Sequence, residues 1–294
     1  MAANVRATFL RITLGAELTR LREQAGLTGD QAAKKAGCAP SAISRVESGT
    51  SGFQRIEQFT KLLRDAYGVS RQDAAVLTDW YKNAKREDWW APIGSVLPSG
   101  LSTFLAFESG ARRVHVWTPM VVNGLFQTED YAEALIEGAR IADDRTAEFV
   151  ESAVKVRMNR KKRITDEGME LICIMDQSVL TNVVGGLDVM RAQYEEIKRL
   201  AALPNVTLRF IPAKAPAYRV LSGEFQILDF DRKELPGPVV ASTTVAGETR
   251  VLSKDRPVKQ FIRRFDVLAQ GALPVHETPV FIDQVAREVE KQHE

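Results

Sequence analysis

Ser41, Ser44 and Arg45 are spaced so that one helix would present all three on a single side. An arginine held there can donate two parallel hydrogen bonds to guanine O6 and N7, and serine hydroxyls can meet either base edge. Pro40, just before them, is placed to touch a thymine methyl or a sugar edge. Thr28, Lys34 and Arg55 are candidates for phosphate contact. Thr28 can also cap a helix, and the two roles coexist because a helix N-terminus itself attracts phosphate.

Two short helices must position these side chains. Gly26-Leu27-Thr28 ends one helix and caps the next, and Ala32, Ala33 and Ala36 give the second a small apolar face that allows close packing. Gly37 supplies the backbone freedom for a sharp inter-helix turn. Pro40 falls at the first position of the third helix, where its missing N–H costs nothing. Ile43 and Val46, three apart, face inward and leave the polar residues outside. A short polar helix on a small-residue scaffold is how a helix-turn-helix presents side chains to the major groove of DNA.

Residues 26–49, GLTGDQAAKKAGCAPSAISRVESG, resemble the Cro/CI-type (XRE-type) helix-turn-helix. Leu27, Thr28, Ala33, Gly37, Ser41, Ile43, Ser44, Arg45, Glu47 and Gly49 agree with the usual wording. The resemblance extends over residues 14–68, with Leu14, Leu18 and Leu21 as the buried stripe of a first helix. It implies an ion pair between Arg22 and Glu47 that ties the first helix to the third. Two residues depart from the pattern. Gly29 stands where Gln commonly touches a phosphate. Ala39 replaces a Ser N-cap, a loss of about 1 kcal/mol of helix stability that Pro40 offsets in part.

Length and composition set the frame. With 294 residues, 45% hydrophobic and 27% charged, the chain reads as a globular protein of two domains. Residues 1–95 hold 14 Lys/Arg against 10 Asp/Glu, and the remainder 26 against 28, so the basic excess sits on the helix-turn-helix half. That excess is small for a DNA binder, which favours two copies per operator. No apolar run approaches the ~20 residues needed to span a bilayer. The opening MAANVRATFLRIT does not read as a signal peptide. Cys38 and Cys173 are far apart, which argues against a disulfide framework and suits a reducing cytoplasm.

The expected organisation is an N-terminal arm (1–13), an all-α DNA-binding domain of five helices (14–87), a linker (88–100), an α+β domain with a mixed sheet (101–285) and a charged tail (286–294). The first helix is expected over Thr13–Ala25. A Thr-Ser-Gly loop follows Gly49, then helices at Phe53–Tyr67 and from the Ser70 cap to Arg86. In the second domain we expect helices at 104–111, 129–139, 143–165, 187–203 and 258–268, and strands at 114–117, 171–175, 206–211, 225–230 and 239–245. A Pro-Gly-Pro turn separates the last two strands. The spacing between 171–175 and 206–211 suits a parallel crossover.

The segment FESGARRVHVWTPMVVNGLFQTEDYAEALI, with LPNVTLRFIP and GEFQILDF further on, is similar to the Scr1-type domain that follows helix-turn-helix modules in actinobacterial regulators. The resemblance spans 101–285. It implies a regulatory domain, often with a small companion protein, and no settled ligand. Asn123 replaces a usual Pro, and Val239-Val240-Ala241-Ser242 lacks a Glu often found near the end of that strand.

No other motif outweighs its plain structural reading. Cys173 reads as a core residue, and His115, His276 and His293 are dispersed without metal-ligand spacing. Asp176 and Asp229 each follow a strand, and Gly185-Gly186 reads as a turn. Trp89, Trp90, Trp117 and Phe126 are expected in cores rather than around a ligand. The basic run Arg157–Arg163 is expected on a solvated helix face. No nucleotide-binding or hydrolase motif is present, so neither enzyme activity, cofactor nor metal is expected. The reading is a cytoplasmic, homodimeric regulator of double-stranded DNA. Its second domain would receive a signal, with a partner protein preferred over a small ligand. The rivals are an antitoxin-like module that sequesters a small companion, and an enzyme tethered to DNA.

Overall fold

The computed structural model describes residues 7–50, 53, 55–94, 97–140, 142, 144–215, 223–230, 237–243 and 248–293. The expected loop at Ser51 and Gly52, Asp143, Pro236 of the Pro-Gly-Pro turn, and Thr244 and Val245 of the last expected strand lie outside these residues. So do residues 1–6 of the expected arm and Glu294. The chain divides into two units. The first is residues 1–92 with 105–110 and 231–236; the second is 93–104, 111–230 and 237–294.

The first unit is built from α1 (Ala7–Gln24), α2 (Gly29–Ala36), α3 (Pro40–Glu47), α4 (Ile56–Lys61, continued by a π-helical turn over Leu62–Ala66) and α5 (Arg71–Asn83). Leu14 and Leu18 of α1 share one core with the three alanines of α2, Ile43 and Val46 of α3, Phe59, Leu62 and Leu63, and Leu77 and Tyr81 of α5. Phe59 and Tyr81 stack at 4.2 Å between ring centroids. Helix α1 begins at Ala7, so the expected start at Thr13 is corrected, and residues 7–13 of the expected arm are helical. The cause is a remote cap. Asp88 is buried, and its carboxylate accepts from Ala7 N at 2.8 Å and Thr8 N at 3.0 Å, satisfying N–H groups that a helix start leaves open. Asp88 therefore belongs to the first unit rather than to a free linker. A 3₁₀ turn (Ala91–Ile93) follows.

The second unit carries one six-stranded sheet. Its strands are β1 (Arg113–Thr118), β2 (Glu170–Asp176), β3 (Val206–Ile211), β4 (Phe225–Asp229), β5 (Val239–Thr243) and β6 (Thr249–Leu252), in the order β3-β2-β1-β4-β5-β6. β1, β2 and β3 run parallel, and β4, β5 and β6 are added antiparallel, so the sheet is mixed. The strands rich in Val, Ile and Leu were legible, and the long spacing between β2 and β3 does close a parallel pair. β6 was not expected: TRVL is four residues long and sits at the sheet edge.

The α-helices after α5 in the chain are α6 (Leu101–Gly110), α7 (Glu129–Arg140), α8 (Ala147–Thr165), α9 (Ser178–Thr181), α10 (Leu187–Ala201), α11 (Asp255–Gly271) and α12 (Thr278–His293). α8 starts at Ala147 because the Thr146 hydroxyl accepts from Phe149 N at 3.2 Å. Val258, Phe265 and Leu268 of α11 pack on Trp117, Ile174, Phe225 and Ile227 of the sheet. α7 and α8 pair through Ala132, Ile136, Val150 and Val154. The expected charged tail is corrected as well. Residues 286–293 complete α12, with Val285 and Val289 buried and Glu290 bonded to Arg191 at 2.7 Å. Among the described residues no helix is long and apolar enough to cross a membrane.

Candidate nucleic-acid interface and a charged cavity

The turn between α2 and α3 is closed by local chemistry. The Thr28 hydroxyl accepts from Gln31 N at 3.2 Å while Gln31 Oε1 accepts from Thr28 N at 2.8 Å, a reciprocal capping box. Gly37 ends α2 with φ of 68°, a left-handed conformation that favours glycine. Ala39 gives α3 no side-chain cap, and Pro40 supplies the first helical residue with its φ already set.

α3 is fixed from beneath. Ile43 and Val46 are buried, and α1 crosses so closely that a Cβ on Gly15 would lie 2.3 Å from the Glu47 carbonyl oxygen. Arg22 meets Glu47 with both carboxylate oxygens engaged, Nε to Oε1 at 2.8 Å and Nη2 to Oε2 at 3.1 Å. Tyr67 Oη and Thr19 Oγ1 donate to the same carboxylate at 3.2 and 3.3 Å. Arg22 Nη1 also donates to the Leu27 carbonyl at 3.0 Å, which ties α1 to the entry of α2. The bond to Glu47 raises the Arg22 pKa, and burial, helped by Glu47, pushes the Tyr67 phenol up.

Thr28, Lys34, Pro40, Ser41, Ser44, Arg45 and Arg55 are all exposed. Pro40, Ser41 and Ser44 share a surface hollow with Gly29 and Asp30 of α2. Arg45 is in the last turn of α3, Lys34 in the last turn of α2, and Arg55 at the N-cap of α4. This unit can therefore offer a rigid helix whose outer side is polar, flanked by three cationic side chains.

The second unit holds its charges differently. A cavity of about 370 Å³ lies between α7, α8, the loop before α7 and strands β4 and β5. Among the described residues its charged lining side chains are Arg145, Arg157, Arg160 and Glu224. The expectation that Arg157–Arg163 is a solvated face is corrected here. Arg157 and Arg160 line the cavity, Arg163 is 5% exposed and donates to the Ala111 carbonyl at 2.7 Å, and Lys161 pairs with Glu196 at 2.8 Å. Arg157 donates to Gln127 Oε1 at 3.0 Å. Burial, with Arg160 beside it, lowers the Arg157 pKa to about 10. Burial raises the Glu224 pKa against the opposing pull of Arg160. Asn123 Nδ2 and Gln226 Nε2 each lie 3.5 Å from Glu224 Oε1, the outer limit of a hydrogen bond.

None of Trp89, Trp90, Trp117 or Phe126 lines this cavity, and Trp117 and Phe126 are buried. Cys173 is buried in β2, and burial pushes its thiol up. Asp176 Oδ1 accepts from Ser178 N at 3.0 Å at the start of α9, whereas Asp229 lies 3.4 Å from His115 Nδ1. Strand register puts those two carboxylates at opposite ends of the sheet. Among the described residues no group of three or more His, Cys, Asp or Glu could hold a metal ion. The cavity residues escaped sequence reading because they come from separate elements. The one available signal was Asn123, which departs from the usual Pro and turns out to face Glu224.

These features define an XRE-like helix-turn-helix protein with an α+β second domain. A helix-turn-helix domain model matches residues 13–77. A domain of unknown function, DUF5753, matches residues 101–284, well over half of the chain, and the chain belongs to that family. No curated protein and no solved structure matches it.

Proposed function

We propose that the chain is a sequence-specific transcriptional regulator that binds operator DNA as a homodimer. In this reading Ser41, Ser44 and Arg45 read bases, Pro40 meets a thymine methyl or sugar, and Thr28, Lys34 and Arg55 hold phosphates. The observation that carries it is α3: two buried anchors, a glycine contact and a buffered ion pair beneath, with an exposed polar side above. A reading helix needs that combination, because base contacts discriminate only when the backbone carrying them cannot shift. The small basic excess favours two copies on one site.

The second domain, similar in sequence to the Scr1-type domain, is the signal receiver in this proposal. It would act by altering the spacing or orientation of two reading helices, since dimer geometry sets half-site spacing. The cavity favours a small ligand as the signal over a partner protein. A companion-sequestering module stays the rival, and a tethered enzyme gains no support from Asp176 and Asp229, which do not converge.

Chromatin pull-down with sequencing tests the proposal. It should return a two-fold symmetric sequence with half-site centres about one helical turn, ~34 Å, apart. Enrichment without a shared sequence would contradict it.

A further inference from the structure

The cavity of the second unit is lined by both polar and apolar side chains. The polar ones include Arg157, Arg160, Glu224 and the amides of Asn123 and Gln226; the apolar ones include Leu101, Phe104, Ile136 and Phe149, with the Arg145 guanidinium 4.6 Å from the Phe149 ring centroid. Its volume, about 370 Å³, falls in the range of small-molecule sites, roughly 300–1,000 Å³.

Three of the polar lining residues, Arg157, Gln226 and Glu224, are under-satisfied. A guanidinium has five N–H donors. Arg157 gives one hydrogen bond, to a neutral amide oxygen, and feels Glu224 only through space. Gln226, 8% exposed, has a buried Oε1 without a partner. Glu224 receives nothing shorter than 3.5 Å from the two amides. Buried polar groups ordinarily have partners, and exceptions call for a reason. The spare N–H donors of Arg157 call for an anion, whereas Gln226 Oε1 and Glu224, both acceptors, call for a donor such as water. A Cβ on Gly124 would lie 3.3 Å from Arg160 Nη1, so the glycine leaves room beside that guanidinium. The Arg160 guanidinium lies 4.9 Å from the Phe104 ring centroid, so cationic and apolar lining residues adjoin.

We infer that this cavity binds a small organic acid with an apolar body, its carboxylate held by Arg157 and Arg160 and its body against Leu101, Phe104, Ile136 and Phe149. Arginine suits this task because its fork matches both carboxylate oxygens. The inference deepens the receiver reading, and rests on it only for the link to DNA.

The test uses the full chain and three probes that share one body: 3-phenylpropionate, 3-phenylpropanamide and 3-phenylpropylamine. Calorimetry should show the acid binding at least tenfold more tightly than the amide, and the amine not at all. Arg157→Met should weaken the acid at least tenfold, and Glu224→Gln should strengthen it by removing the like charge. If Arg157→Met does not fold, Ile136→Trp, which fills the cavity from its α7 wall, should abolish binding instead. The inference is overturned if the acid does not bind, if the amide binds as well, or if both cavity variants bind the acid unchanged. Operator affinity is measured separately by fluorescence anisotropy. An acid that binds the cavity and leaves operator affinity unchanged would keep the site and remove its role as the DNA signal.

Discussion

Glu47 and Glu224 are both carboxylates drawn inside their units, and they are treated in opposite ways. Glu47 receives two bonds from Arg22 and one each from Tyr67 and Thr19, all at 3.3 Å or less. Glu224 stands near two arginines and two amides, yet the amides stay at 3.5 Å. A charge drawn inside and well supplied with donors is a fastening, and here it fastens α1 to α3. A buried charge left short of partners has capacity to spare, and here it faces a cavity. The arginines follow the same division. Arg45 points away from its unit, while Arg157 and Arg163, also on a helix, turn inward.

The largest expected effect breaks the satisfied site. Glu47→Ala leaves Arg22 without its partner and should destabilise the first unit by about 3 kcal/mol, measured as the loss of its transition in scanning calorimetry. A smaller loss would mean that the pair is more solvated than its geometry indicates. Next is Gly15→Ala. The added methyl meets backbone that cannot turn aside, so α1 and α3 must separate, at about 1–3 kcal/mol. The same variant should weaken operator binding through a displaced α3, which an anisotropy titration reads directly.

The unsatisfied site should respond with the opposite sign. The ordinary carboxyl value is 4.5, and Glu224 lies above it in the folded chain. Between those two values the folded chain holds more proton than the unfolded chain, so its stability falls as pH rises. Glu224→Gln removes this dependence. Its melting temperature should exceed that of the parent chain by a margin that grows as pH rises from 4.5 through the raised value. A margin independent of pH would show that Glu224 does not titrate against the cavity. This is the smallest of the three stability effects, and the one that separates the two carboxylates most cleanly.

How much was legible in the sequence follows from how local each cause is. The α2–α3 turn could be read because Thr28, Gly37 and Pro40 each act within a few residues of themselves. The start of α1 could not, because its cap, Asp88, is supplied from beyond α5. The β strands announced themselves as runs of Val, Ile and Leu, apart from the short edge strand Thr249–Leu252. The inward turn of Arg157 was hidden for the same reason as Asp88. Its surroundings, Gln127 and Glu224, are brought to α8 by a loop and by a strand far along the chain. Seen alone, RMNRKKR looks like any solvated basic run.

The central claim is that α3 reads bases through Arg45 while the core beneath only holds it in place. The most direct measurement compares parent and Arg45→Ala chains on the operator found by pull-down and on the same duplex with its symmetric guanines replaced. The parent should prefer the true operator by ~1–3 kcal/mol per lost contact. Arg45→Ala should bind both duplexes alike and melt at the parental temperature, because the side chain is exposed. An Arg45→Ala chain that still prefers the true operator by the parental margin would contradict the account.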